Sequence, residues 1–187
     1  MINHLITLTG FGPFNKNFRN LSGEIVKNFP SKIQKYPIIK RILPVSWKRS
    51  IESYKSLIAS LESKPKLVVL LGIHSSKDFH LEKFGWNYKF GQDIDNIFKF
   101  GMIKHCFSPR IKTILNINKI FINLRDKMNI LVSWFPGLYL CNFIYYWALN
   151  ISNQEYPVLF IHIPESGELN KSIKKIEMIL RAIINLL

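Results

Sequence analysis

The length, composition and charge of this chain favour one globular domain. It has 187 residues, 48% of them hydrophobic, and no internal repeat or low-complexity linker, which predicts a single domain over residues 1–187. A net charge of +14 would suit a nucleic-acid-binding protein, but the 26 Lys and Arg residues are scattered and form no polyanion-binding tail. We therefore expect a solvated basic surface, with weak and salt-sensitive adsorption to polyanions at most, and no specific nucleic-acid partner.

Strand-type and helix-type patterns alternate along the chain. The predicted elements, in order, are a strand at 4–9, a helix at 21–29, a strand at 38–45, a helix at 48–62, a strand at 66–72, an extended segment at 79–89, a helix at 115–127, a strand at 129–133, a helix at 139–150, a strand at 157–162 and a helix at 170–186. This alternation predicts an α/β protein, with a three-layer α/β/α sandwich around a mixed, mostly parallel central sheet.

Two segments of the sequence decide whether a membrane span or a secretory signal is expected. The stretch 130–149 is apolar and about long enough for a membrane span, but Ser133, Pro136 and Gly137 interrupt it, so we expect a buried strand, turn and helix and no membrane partner. The N-terminal residues 1–4 carry no basic segment and precede no small-residue cleavage site. A cytoplasmic location is the expectation that follows.

A lone cysteine lies where a turn becomes a helix. Pro136 and Gly137 break the chain after the apolar run 129–133, and the pattern of residues 139–149 predicts a helix. Cys141 therefore falls in the first turn of that helix. The unpaired N–H groups and the positive dipole end there favour a thiolate, which makes Cys141 a candidate nucleophile. A disulfide with Cys106 is disfavoured in a reducing compartment, and no C-x-x-C metal spacing exists.

A nucleophile needs a base and an orienting carboxylate, and His162 and Glu82 are the candidates. His162 follows the apolar run 158–161 at a strand end, where open α/β sheets build their sites. Glu82 lies among aromatic and aliphatic neighbours after the buried-type strand 67–71, which is unusual for a carboxylate. Taken alone, such a cysteine is usually a small apolar side chain, the histidine a hydrogen-bonded structural residue and the glutamate a salt-bridge partner. The other histidines receive no functional role: His4, His74, His80 and His105.

Ordered motifs extend over nearly the whole chain. They are Thr9–Phe14 (TGFGPF), Asn20 with Ser22, Leu43–Val45, Leu81–Lys83 with Gly85 and Asn87, Asp95–Asn96, then Ser133, Gly137, Tyr139, Cys141, Asn142 and Tyr145, and Phe160–Pro164. In this order they resemble the pyroglutamyl-peptidase I family, cysteine peptidases that remove an N-terminal pyroglutamate. The LEK segment and the Tyr145–Tyr146 pair look closer to the eukaryotic branch than to the bacterial one.

The resemblance implies a catalytic mechanism. Cys141 would form a thioester with the pyroglutamyl carbonyl, His162 would serve as general base and then acid, and Glu82 would orient His162. The resemblance implies no metal and no organic cofactor.

The resemblance also implies how the substrate is held. Phe11 and Phe14 would form walls of an apolar slot for the small, neutral lactam, and Tyr139 and Leu140 would lie beside the nucleophile. The substrates would be pyroglutamyl peptides. The resemblance favours a monomer and leaves a homo-oligomer open.

Departures from the family pattern keep other functions open. Pro136 stands where the family usually has alanine, Gln92 stands where bacterial members carry an arginine, and the loops between Asn96 and Ile114 are shortened. The main alternative is a catalytically impaired descendant that acts as a peptide-binding or interaction protein. The other alternative is a basic binding module in which the triad of Cys141, His162 and Glu82 is a coincidence.

Overall fold

The computed structural model describes residues 5–14 and 19–187. Its strands are β1 (Ile6–Phe11), β2 (Lys32–Ile33), β3 (Tyr36–Leu43), β4 (Leu67–His74), β5 (Phe79–Glu82), β6 (Phe84–Trp86), β7 (Lys89–Gln92), β8 (Phe98–Gly101), β9 (Arg110–Lys112), β10 (Ile130–Ser133) and β11 (Val158–Pro164). Its helices are α1 (Leu21–Asn28), α2 (Trp47–Ala59), α3 (Ile117–Leu124), α4 (Leu140–Ser152) and α5 (Leu169–Ile184). The N-terminal segment 1–4, and with it the predicted start of the first strand at residue 4, lies outside the described residues.

Seven strands form one central sheet in the order β10-β5-β11-β4-β1-β3-β2. Neighbouring strands are parallel except at two places, where β5 runs antiparallel to β11 and β2 runs antiparallel to β3. The expected mixed, mostly parallel sheet is confirmed. Two small antiparallel pairs, β6 with β9 and β7 with β8, lie outside it.

The two faces of the sheet bury separate cores. Leu67, Val69 and Leu71 of β4 pack with α1, α3 and α5, whereas Val68 and Leu70 face α2 and α4. This division follows from the strand geometry, since successive side chains point to opposite faces. The predicted three-layer sandwich is confirmed.

The sequence-based boundaries differ from the structure mainly between residues 79 and 112. The extended segment 79–89 divides into β5, β6 and the start of β7, and β8 and β9 lie where only shortened loops were expected. Phe98 and Phe100 of β8 are 56% and 71% exposed, so this strand has no buried face to produce an apolar alternation. The two-residue β2 was also missed, because it is shorter than any periodic pattern.

The apolar stretch 130–149 forms β10, a turn and most of α4, as its interruptions indicated. No helix in the described part of the chain is long and apolar enough to cross a membrane.

Candidate active site

The cysteine lies in the first turn of α4, as its sequence context predicted. Pro136 is buried, and Gly137 has a φ of +79°, a left-handed conformation that glycine adopts without strain. Tyr139 is the N-cap residue, but it makes no side-chain cap hydrogen bond to any described residue. Within the described residues the first turn of α4 therefore has no side-chain cap, and the positive end of the helix lies beside the thiol.

Glu82 and His162 meet across the antiparallel junction of β5 and β11. Glu82 is opposite Phe160 and His80 is opposite His162, so these side chains share one face of the sheet. The Nδ1 atom of His162 lies 2.7 Å from Oε1 of Glu82, and the two side chains are only 8% and 1% exposed. The hydroxyl of Tyr145 donates to the backbone carbonyl of Glu82 at 2.8 Å. Tyr145, which the sequence indicated only as a member of the cysteine motif, therefore fixes the strand end that carries the carboxylate.

The imidazole is coupled to the thiol as well as to the carboxylate. Burial disfavours the charged imidazole, but the negative charge and hydrogen bond of Cys141, together with those of Glu82, raise the pKa of His162 to about 9. The thiol reaches this position because Gly72, the partner of His162 on β4, has no side chain. A Cβ at Gly72 would lie 2.8 Å from Sγ of Cys141. The arrangement sets a thiol beside an imidazole that a buried carboxylate holds, as a nucleophilic cysteine requires.

A cavity of about 280 Å³ opens beside the cysteine. Its lining includes the four residues expected to form the slot, Phe11, Phe14, Tyr139 and Leu140. The other lining residues besides Cys141 were not expected from the sequence: Arg19, Asn20, Val45, Ile73 and Glu165. The lining is mainly apolar, but Arg19 and Glu165 contribute a charged group of each sign.

The Phe11 wall is held by close backbone contact between β1 and α1. The amide of Phe11 donates to Oγ of Ser22 at 3.0 Å, and that hydroxyl donates to Oδ1 of Asn20 at 2.8 Å. A Cβ at Gly10 would lie 2.4 Å from the carbonyl oxygen of Ser22, and one at Gly23 would lie 2.3 Å from that of Phe11. Only glycine allows this approach, which explains the TGF and N-x-S motifs in physical terms.

The Tyr139 wall is held by aromatic contacts and by the β7–β8 pair. The ring of Tyr139 packs edge-on against Trp47, with 5.4 Å between centroids, and against Phe14 at 5.7 Å. Its hydroxyl donates to the backbone carbonyl of Gln92 at 2.7 Å. A Cβ at Gly91 would lie 2.7 Å from the same ring. The strand pair that the sequence did not reveal therefore helps to shape the cavity.

Two histidines that received no role from the sequence lie against the triad. The ring of His74 is 4.2 Å from that of His80 and 5.3 Å from that of His162, centroid to centroid. His105 is exposed, and His4 lies outside the described residues.

Cys106 is exposed and Cys141 half-buried, and both are free thiols. Within residues 5–14 and 19–187, no group of three or more His, Cys, Asp or Glu residues is arranged to hold a metal ion.

Comparison with known proteins places this geometry in one family. A family model described as pyroglutamyl peptidase matches residues 4–183. The pyrrolidone-carboxylate peptidase of Thermosipho africanus is 30% identical over 173 residues, which cover 85% of this chain and 80% of that protein. The enzyme of the same name from Thermococcus litoralis is 30% identical over 168 residues, covering 85% and 76%.

Solved structures agree with these sequence matches. The pyrrolidone carboxyl peptidase from Thermococcus litoralis superposes with a TM-score of 0.90 at 25% identity, over 97% of this chain and 94% of that one. Pyroglutamyl peptidase I of Bacillus amyloliquefaciens shares the fold, with a TM-score of 0.89 at 19% identity over 97% of each chain. These relatives are bacterial and archaeal, so they do not support the closeness to the eukaryotic branch that the LEK and Tyr-Tyr segments suggested.

Proposed function

The chain belongs to the pyroglutamyl peptidase family, and we propose that it removes N-terminal pyroglutamate from peptides through a thioester on Cys141. The observation that carries the proposal is the buried 2.7 Å contact between His162 and Glu82, with the thiol coupled to the same imidazole. A nucleophile, a base and an orienting carboxylate in that relation are the parts that acyl transfer requires.

The first half of the reaction forms the acyl-enzyme. The Cys141 thiolate attacks the carbonyl that joins pyroglutamate to the next residue, and the negative charge moves to the carbonyl oxygen. That oxygen accepts a hydrogen bond from the backbone N–H of Cys141, in the helix turn that Tyr139 leaves uncapped. The imidazolium of His162 then protonates the leaving amine, the C–N bond breaks and the peptide departs.

The second half releases the acid. His162, now neutral, takes a proton from water as the water oxygen attacks the thioester, and the C–S bond breaks to regenerate the thiolate and imidazolium. Glu82 accepts the Nδ1–H of His162 throughout, which leaves Nε2 as the nitrogen that exchanges protons with the reacting groups.

Specificity arises in the apolar cavity beside Cys141. A pyroglutamyl group is small, uncharged at its amide nitrogen and flat, which suits a slot walled by Phe11, Phe14, Tyr139 and Leu140.

We further infer that residues 1–187 act as one catalytic domain, that the protein works as a monomer and that it is cytoplasmic. Both apolar cores pack on the same seven-stranded sheet, which supports the single domain. Both cysteines are free thiols, as is usual for proteins of reducing compartments, which supports the location. Light scattering on the purified protein tests the monomer, and a stable dimer or tetramer would contradict it.

The function is tested by release of a fluorescent amine from its pyroglutamyl amide under reducing conditions. We expect Cys141→Ala and His162→Ala to lower kcat/KM by at least about three orders of magnitude, and Glu82→Gln to lower it by about two to four orders. Cys106→Ala is the matched control, because it removes the other, exposed thiol and should leave the rate unchanged.

A folded wild type that releases no amine would contradict the peptidase and favour the impaired descendant. Pro136→Ala then decides the cause, since it returns a backbone N–H to the turn before the cysteine. Activity gained in Pro136→Ala would assign the loss to proline. A wild type that is inactive but still binds a pyroglutamyl peptide in calorimetry would be a binding protein.

A further inference from the structure

The mechanism above leaves two buried polar atoms beside the triad unused. Oε2 of Glu82 and Nε2 of His80 are both buried, and neither has a hydrogen-bond partner among the described residues. The other carboxylate oxygen, Oε1, is the one that contacts His162. A buried carboxylate oxygen without a donor is costly, so this unpaired acceptor and the unpaired imidazole nitrogen two residues away on β5 call for a structural explanation.

The strand geometry places these two atoms on the same side of the sheet. His80 and Glu82 alternate along β5, so their side chains share the face that also carries His162. His80 is the register partner of His162 and its ring packs against that of His74 at 4.2 Å. His74 is itself anchored, with Nε2 2.9 Å from the backbone carbonyl of Asp78. The imidazole of His80 is therefore held in position next to the Glu82–His162 pair.

The protonation state of His80 suits a donor. Burial lowers the pKa of His80, more than the opposing charge of Glu82 raises it, and the neighbouring His162 charge lowers it further. A neutral imidazole carries one N–H and can present it at Nε2. A donor at this position would complete the hydrogen bonding of the carboxylate without bringing a second positive charge against the imidazolium of His162.

We propose that His80 is a positioning residue of the active site, which donates its Nε2–H through one water molecule to Oε2 of Glu82. This inference rests on the proposed catalytic roles of Glu82 and His162. With Oε2 held, the carboxylate cannot rotate away, and Oε1 stays on Nδ1 of His162 while the imidazole exchanges protons with substrate. His80 touches neither the substrate nor the reacting atoms; it acts through Glu82.

The test compares variants that keep or remove the donor at this position. His80→Leu retains apolar volume and lacks the N–H, and His80→Ala lacks the N–H without bulk. His80→Gln carries an amide N–H at a similar distance from the backbone. We expect kcat on the pyroglutamyl amide to fall about tenfold in the Leu and Ala variants, with KM within about twofold, and to recover largely in the Gln variant. His105→Leu is the matched control, since it removes an exposed imidazole and should change neither constant.

Two results would overturn the proposal. One is an unchanged kcat in folded His80→Leu or His80→Ala. The other is a loss in His80→Gln as large as in His80→Leu, which would assign the effect to the shape of the ring rather than to its N–H.

A second measurement does not depend on catalysis. A double-mutant cycle of His80→Leu with Glu82→Met, followed by denaturant unfolding, reports whether the two side chains are coupled. Non-additive unfolding shifts in a protein whose wild type is inactive would support the link while the proposed peptidase function fails. Additive shifts would refute the link whatever the activity.

Discussion

Two helices begin beside the same cavity, and their first turns are built in opposite ways. At the start of α1, Oδ1 of Asn20 accepts from the backbone N–H of Ser22 at 3.1 Å, so the helix end is capped by its own sequence. At the start of α4, Tyr139 provides no such cap within the described part of the chain, and Cys141 follows two residues later. At the start of α1 the cap satisfies a backbone N–H group within the chain, whereas at the start of α4 the N–H groups remain available to a ligand.

The difference corresponds to two roles. The start of α1 supports a wall of the cavity, and the start of α4 carries the proposed nucleophile. The capped turn of α1 packs so closely on β1 that Gly10 and Gly23 have no room for a side chain, and its Ser22 fixes the amide of Phe11. The turn of α4 has no side-chain cap among the described residues, and its N–H groups and positive dipole end are what the proposed thiolate and oxyanion require. The start of α1 is therefore arranged for stability. The start of α4 instead leaves hydrogen-bond donors free, as is usual at helix ends that bind anions.

Removal of the thiol should have the largest effect at the α4 end. The pKa of His162 is raised from its ordinary value of 6.5 to about 9, so the imidazolium contributes stability that is fully present below about pH 6.5 and is lost as the pH rises through about 9. Cys141→Ala is expected to abolish the proposed activity, and it also removes a group that raises the pKa of His162. We therefore expect an NMR titration to show a lower pKa for His162 in Cys141→Ala than in wild type. Cys106→Ala should titrate like wild type, and an unshifted His162 in Cys141→Ala would show that the thiol and imidazole are not coupled.

A side chain at Gly23 should disrupt the α1 wall. Gly→Ala usually stabilises a helix interior by roughly 0.5–1 kcal/mol, but a Cβ here would lie 2.3 Å from the carbonyl oxygen of Phe11. We expect Gly23→Ala to lower the free energy of unfolding by about 1–3 kcal/mol and to raise KM, because α1 must move away from the strand that carries Phe11. Denaturant unfolding and steady-state kinetics measure both effects. Gly12→Ala is the control, since its nearest neighbours would be 3.7 Å away, and equal destabilisation of the two variants would contradict the close-packing argument.

A cap introduced at α4 should make the two helix ends alike and lower activity. Asn at position 139 can accept from the N–H of Cys141 or of the next residue, the donors that an N-cap side chain normally takes. Tyr139→Ala removes the same ring without adding an acceptor, so the ratio of the two variants isolates the cap. We expect kcat of Tyr139→Asn to be about tenfold below that of Tyr139→Ala, a part of the effect of losing an oxyanion donor. Equal kcat values would show that the amide groups at the start of α4 do not serve the reaction.

The sequence predicts the layers of this fold well because each layer has a buried face. The last helix is an example: its apolar side chains recur with helical spacing, and α5 spans Leu169–Ile184 where 170–186 was predicted. The β7–β8 pair was missed because its aromatic side chains remain in solvent, and only pairing, not burial, makes it a strand pair.

The site shows the same limit. The first-turn position of Cys141 follows from local signals, because residues adjacent in the sequence indicate both the turn and the start of the helix. The contact of Glu82 with His162 joins residues 80 apart and depends on β5 pairing antiparallel with β11, which no local pattern encodes. For the same reason the sequence left His80 and Tyr145 without a role, although both lie next to this pair in the sheet.

The smallest effect is expected from loss of the natural cap on α1. Asn20→Ala removes the acceptor for the N–H and the hydroxyl of Ser22, and such a cap is worth about 1 kcal/mol of stability. Asn116→Ala is the matched control, because Asn116 caps α3 through the N–H of Lys119 at 3.1 Å and does not line the cavity. We expect similar losses in denaturant unfolding from both variants, but a rise in KM, roughly twofold, only from Asn20→Ala, since Ser22 then holds the Phe11 wall less firmly. An equal KM in the two variants would mean that the cap of α1 stabilises the helix alone, and that the cavity wall depends on the glycine contacts instead.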